Sequence, residues 1–162
     1  MEDLIKVEYL LQHKLGDVMY ISKENPVIQE IRSYETNLNH AYKEQNDERL
    51  FFVTKHLITR WFNIMNEEIF NNKIYPFYAI DIKRKQGCHA EHIPHEDSNG
   101  SIYGELSISD RFINKNEFLY TLAHEMVHQW QWMNLYTSNH GQSFWKWKSR
   151  LSKFEIPLGV SI

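Results

Sequence analysis

An α+β fold, a helical body carrying a small β-sheet, follows from three features of the sequence. Most of the chain repeats its apolar residues every three to four positions, as helices packed on one side require. Two stretches, beginning at Tyr75 and Ser101, alternate with period two instead, as half-buried strands do. Both lie between helical stretches, and short strands among helices make a small sheet laid on a helical body.

Composition sets the bounds. A length of 162 residues suits one compact domain with a core that needs no disulfide. Hydrophobic content of 42%, with 14% aromatic, argues against a disordered chain. No apolar run reaches the roughly 18–20 residues needed to span a bilayer. The start, Met1 to Lys6, is mixed in charge and has no secretory apolar region. Cys88 is the single cysteine, which excludes an internal disulfide and a cysteine-based zinc ribbon. Together these features point to an intracellular, cytoplasmic protein. The net charge of −3 argues against holding nucleic acid by bulk electrostatics.

In chain order, Leu4, Val7, Leu11 and Leu15 place a helix over 3–15, with Gly16 as its stop. Asn25-Pro26 reads as an N-cap followed by proline at the first helical position. Val27, Ile31, Tyr34, Leu38 and Ala41 then form a packing stripe on a helix ending near Gln45. Residues 1–45 are thus a helical extension, and 46–162 the main domain. Asn46 or Asp47 caps the next helix, which runs to about Phe70 and is apolar almost all round. Asn71-Asn72-Lys73 ends it, and Pro76 blocks continuation. Tyr78, Ile80 and Ile82 form one face of a first strand; Ile102, Gly104, Leu106 and Ile108 form one face of a second, after the turn signal Asn99-Gly100. The intervening Gly87–Asp97 segment, carrying His89, His92 and His95, fits no standard zinc spacing and reads as a polar loop, with a second metal site or a substrate-contacting loop as the alternative.

The chemistry concentrates at His124-Glu125-Met126-Val127-His128. Two histidines four residues apart on a helix share a face, offset by about 40°, and both imidazoles can reach one metal ion. Glu125 then flanks the metal, where a general base for an activated water belongs. The pattern is that of a zinc-dependent peptidase. In a chain with 9 histidines the pentapeptide alone carries little weight, so its context has to agree. Asn114 or Asn116 supplies a cap, and no proline or glycine interrupts the helix. Phe118, Leu119, Leu122, Ala123, Met126, Val127 and Trp130 give it an apolar arc, with His124 and His128 outside that arc.

A catalytic zinc takes three protein ligands plus water. His140 is the best candidate for the third. On an unbroken helix it would sit about 18 Å beyond His128 along the axis, so the helix must end near Asn134 and the chain must turn back. The six residues available cover the return of about 9 Å with ease. Thr137-Ser138-Asn139 supplies the break, and Asn139 with Gln142 reads as an N-cap with its capping-box partner for a helix over 141–154. The glycine and histidine that a metzincin needs at positions 131 and 134 are Gln131 and Asn134 here, and Glu155 is too isolated to serve.

With HEMVHQW at 124–130 followed by NHGQSFW at 139–145, the sequence resembles the SprT-like zinc metallopeptidases, which include the Spartan-type proteases acting on DNA–protein crosslinks. NEEIFNNKIY (66–75) and GSIYGELSIS (100–109) are similar to the segments that flank that family's first strands, so the resemblance covers roughly residues 50 to 154. It implies a zincin-like core, a Zn2+ cofactor held by His124, His128 and His140, Glu125 as catalytic base, and a protein or peptide substrate. The zinc ribbon that often follows this core is not present in the sequence, and residues 1–45 have no counterpart.

Lys146, Arg150 and Lys153 fall within about 60° of arc on a helix over 141–154. They could track a DNA backbone, with Trp145 stacking on a base, or form the solvated side of an amphipathic helix. Lys83-Arg84-Lys85 is a second small basic cluster. Tyr103 or Tyr136 is the expected second donor to the oxyanion. The alternative function is a non-catalytic, zinc-containing module that binds nucleic acid or protein.

Overall fold

The structure, a computed structural model, describes residues 25–32 and 50–159. The helix expected over 3–15, and the packing stripe beyond Ile31, lie outside the described residues.

Helix α1 (26–32) starts as its sequence requires. The Asn25 side chain accepts from the Val27 N–H at 2.8 Å, and Val27 and Ile31 are buried in the core. Two polar ties fix it, from Asn25 Nδ2 to Glu68 Oε2 at 2.8 Å and from Glu30 to Lys115. Residues Phe51–Phe52 form strand β1, and α2 spans Lys55–Glu68. The helix expected from Asn46 or Asp47 therefore begins later, capped by Thr54, whose Oγ1 accepts from the Leu57 N–H at 3.2 Å. The reason is a distant partner. Phe51 and Phe52 pair antiparallel with Phe112 and Arg111 of β5 (Arg111–Phe112), and the Phe51 ring packs on Phe118 at 5.5 Å. Rather than being apolar all round, α2 buries one face, formed by Ile58, Trp61, Phe62 and Met65. Beyond its end Asn71 and Asn72 take left-handed backbone (φ 53° and 58°). Asn66 clamps the exit by exchanging two hydrogen bonds with the backbone of Ile74.

The main sheet contains β2 (Ile80–Lys83), β3 (Ala90–Glu96) and β4 (Ile102–Ser109) in the order β2-β4-β3, with β2 parallel and β3 antiparallel to β4. The first strand is shorter than its alternation predicts, because Phe77 turns inward and Tyr78 is 74% exposed. The expected polar loop at 87–97 is corrected more sharply. Seven of its residues form edge strand β3, whose register sets His92 opposite Leu106 and Pro94 opposite Gly104. Pairing with β4 overrides a composition poor in strand formers, and an edge strand tolerates the proline.

Helix α3 (Lys115–Leu135) carries the pentapeptide across the inner face of this sheet. Asn114 caps it by accepting from the Glu117 N–H at 2.8 Å. Leu106 and Ile108 of β4 meet Leu119, Leu122, Ala123 and Met126 of α3 in the core, each with no exposed surface. The helix expected over 141–154 is instead two short ones, α4 (Gln142–Trp145) and α5 (Lys148–Ser152). Phe144 and Leu151 each anchor one of them in the core. The arrangement is α+β, as the sequence predicts. Among the described residues no helix is long and apolar enough to cross a membrane.

Candidate metal centre

His124 and His128 sit one turn apart on α3, with their Nε2 atoms 3.1 Å apart. What brings His140 to them is the end of the helix. Tyr136 adopts left-handed backbone (φ 59°, ψ 32°), and its N–H closes on the Trp132 carbonyl at 3.2 Å, which reverses the chain. Asn139 then braces the turn, donating to Thr137 Oγ1 and accepting from the Gly141 N–H, both at 2.8 Å. The cap residue of α4 is Gly141 rather than the expected Asn139, so His140 lies just outside that helix instead of in its first turn. His140 Nε2 ends 3.1 Å from His124 Nε2 and 3.3 Å from His128 Nε2. The Phe144 ring packs against all three imidazoles, with centroids 4.6 to 4.9 Å away.

Three imidazole nitrogens converging at this spacing could hold a metal ion. A tetrahedral ion with bonds of roughly 2.0–2.1 Å sets its ligand atoms roughly 3.3–3.4 Å apart, close to the distances found. The proton inventory agrees. His128 Nδ1 donates to Gln131 Oε1 at 2.8 Å, and the Gln131 amide goes on to Ser143 Oγ at 2.7 Å. With its proton on Nδ1, His128 turns a lone pair toward His124 and His140. Burial, reinforced by the neighbouring histidines, pushes His124 down to about 3; burial takes His128 down to about 4 against the pull of Gln131. Both rings are thus neutral near pH 7, the form in which an imidazole can bind a metal ion. The chemistry of an all-imidazole set suits zinc, copper, iron or nickel.

The three nitrogens open onto a cleft of about 350 Å³ whose walls include Cys88, Glu91, His92 and Ser138. Glu125 forms part of the same wall and is only 4% exposed. Burial raises its carboxyl to about 7; the His92 backbone amide opposes the rise, Glu91 adds to it, and the Lys85 ammonium opposes it. A carboxyl poised there can take or give a proton at neutral pH.

The structure thus gathers His124, Glu125, His128 and His140 around one cleft. It does not gather the histidines of the 87–97 segment. His89 stacks on Phe112, His95 faces Tyr103 and Glu105, and His92 alone turns inward. Among the described residues the three-histidine group is the one cluster with metal-binding spacing. The two tyrosines expected as oxyanion donors lie elsewhere. Tyr103 packs between Tyr78 and His95 on the sheet, and the Tyr136 ring packs on Trp132 at 4.7 Å. Of the basic trio, Arg150 donates to the carbonyls of Ile69 and Glu68, and Lys146 Nζ lies 3.7 Å from the centre of the Trp130 ring.

Sequence reasoning missed Gln129, Gln131 and His92, which hold the site from behind. A glutamine three residues after a metal-ligating histidine was the one signal available for Gln131. His92 gave none, since its inward direction depends on strand pairing.

A helix presenting two of three converging imidazoles, with a buried glutamate between them in sequence, defines the HExxH class of metal site. The SprT-like family model matches residues 58–161, and the chain belongs to the SprT-like family. The comparison with curated proteins gives no match.

Proposed function

We propose that this chain is a zinc-dependent endopeptidase, with His124, His128 and His140 as zinc ligands and Glu125 as general base. The observation that carries the proposal is the convergence of three imidazole Nε2 atoms within 3.3 Å of one another on a cleft that also contains the Glu125 carboxyl. Three protein ligands leave one position open, the pattern of catalytic rather than structural zinc sites. Zinc held there supplies Lewis acidity toward water and toward a peptide carbonyl. Glu125, whose carboxyl burial raises to about 7, accepts the proton of the attacking water. The same carboxyl then returns a proton to the leaving amine nitrogen. Membership of the SprT-like family supports a protein substrate, and DNA-associated proteins are the class proposed.

The test compares zinc content and casein or histone cleavage, with and without DNA, for the wild type, Glu125→Gln and His140→Ala. Glu125→Gln is expected to keep its zinc and lose activity by about 10²–10⁴-fold. His140→Ala is expected to lose zinc. Wild-type protein that holds zinc yet cleaves nothing would leave the chain as a zinc-containing binding module.

A further inference from the structure

The geometry points to His92 as a positioning residue: one hydrogen-bond chain through its ring fixes both the strand that walls the cleft beside Glu125 and the turn that delivers His140. This rests on the ligand and base assignments just proposed. The chain begins at the backbone carbonyls of Tyr75 and Pro76, which can only accept. Gln129 Nε2 donates to them at 3.0 and 3.3 Å. Its Oε1 must therefore face the other way, where it lies 2.8 Å from His92 Nε2. That ring nitrogen carries the proton, which leaves Nδ1 as a lone pair. Ser138 Oγ lies 3.4 Å from Nδ1 and donates to it. Every polarity in the chain is set from the carbonyl end, and a neutral ring cannot reverse it.

The ring is held neutral and in place. Burial lowers its pKa below the ordinary imidazole range, and His92 and Gln129 are 7% and 1% exposed. They meet over Gly104 of β4, where a Cβ would stand 2.0 Å from Gln129 Oε1 and 2.3 Å from His92 Nε2. Only glycine opens that slot.

Both halves of the site hang on this link. Among the described residues β3 is the edge strand of its sheet, and side chains from α3 tie it down. His92 and Glu125 line the same cleft, so β3 forms the wall beside the carboxyl. On the other side, Ser138 lies in the turn between Tyr136 and Gly141, two residues before His140. Breaking the chain at His92 loosens the cleft wall beside the base on one side and the turn before a proposed ligand on the other.

The experiment uses the zinc-loaded full chain as wild type, His92→Phe, His92→Gln and Ser138→Ala. Two quantities are read: the rate of zinc release to a chelator, and kcat and KM on casein. His92→Phe removes both ring hydrogen bonds at similar volume. It is expected to release zinc about tenfold faster and to lose kcat about tenfold with little change in KM. His92→Gln restores an amide donor close to the position of the ring Nε2, and should recover both quantities to within about threefold. Ser138→Ala cuts the link to the turn alone and is expected to hasten zinc release. Zinc release within about twofold of wild type in folded His92→Phe overturns the inference, as does His92→Gln being as impaired as His92→Phe. If His92→Phe does not fold, unchanged release in Ser138→Ala overturns it. Zinc release needs no peptide cleavage, so an inactive wild type would sink the peptidase proposal and leave this one decidable.

Discussion

Gln131 Oε1 holds His128 Nδ1 at 2.8 Å, and the same amide donates to Ser143 Oγ at 2.7 Å. One fully buried side chain therefore joins the motif helix to α4, the helix that begins just after His140. With its Nδ1 proton held, the His128 ring cannot turn its Nε2 away from its two neighbours. Gln131→Leu removes both bonds at similar volume. Metal affinity is expected to fall about 10- to 100-fold. Competition against a chromophoric chelator measures it, and unchanged affinity would show that packing alone orients the ring.

Gly104 is the position where the sheet and the motif helix come closest. An alanine Cβ there would overlap the Gln129 amide, which cannot retreat because it is tied to the carbonyls of Tyr75 and Pro76. Gly104→Ala should cost about 2–3 kcal/mol, the upper part of the range for overpacking. Gly87→Ala is the control. Its backbone is left-handed (φ 83°) with nothing within 4 Å, so only backbone strain of about 1 kcal/mol is expected. Urea unfolding of the two variants separates steric from conformational cost, and equal destabilisation would refute the tight slot.

The start of α1, helix α3 and β4 were legible because their signals are local. Asn25 and Asn114 cap where the sequence places caps, and Ile102, Gly104, Leu106 and Ile108 share the face that meets α3. The reversal before His140 was legible only as a necessity, through the argument that a continuous helix would carry the imidazole out of reach. The sequence marks it weakly because the residue that turns the chain, Tyr136, is neither glycine nor asparagine. Strands β1 and β3 were hidden for another reason. Phe51-Phe52 continues an apolar helical pattern, and Ala90–Glu96 is polar and contains Pro94, so only partners distant in sequence make either one a strand. The residues behind the imidazoles were hidden with them. Gln129 and His92 acquire meaning once β3 lies against α3, and no spacing rule connects residues 37 apart.

The acidity of Glu125 makes a stability test with a definite sign. Burial lifts its carboxyl from an ordinary 4.5 to about 7, so between those values the folded chain keeps a proton that the unfolded chain has released. Its favourable contribution is full below that window and is lost as the pH rises through about 7. His124 and His128 act in the opposite sense, their contribution being present above the ordinary imidazole range and lost as the pH falls toward about 3 and 4. Both contributions are common to the wild type and Glu125→Gln, so comparing the two isolates the carboxyl. In chelator-treated protein, Glu125→Gln should match the wild-type Tm near about pH 5 and exceed it by several degrees near about pH 8.5. A difference that does not change with pH would place Glu125 in a more polar setting than its burial indicates.

Arg150 gives the last contrast between stripe and structure. On a helix over 141–154 it belongs with Lys146 and Lys153, but its guanidinium donates to the Ile69 carbonyl at 2.9 Å, the Glu68 carbonyl at 3.2 Å and Asn71 Oδ1 at 3.4 Å. It closes the C-terminus of α2, where carbonyls lack helical partners and a cation is favoured. Arg150→Met is therefore expected to destabilise the fold by about 1–3 kcal/mol, as charge-assisted bonds to backbone carbonyls do. Lys153→Met, at an exposed position, should be nearly neutral for stability. If the trio also contacts DNA, the log–log salt slope of binding should fall by about one unit for each neutralised contact. A slope altered by Lys146→Met and Lys153→Met but not by Arg150→Met would confine the phosphate contact to the lysines. Equal slope changes with no loss of stability in Arg150→Met would instead overturn the capping role.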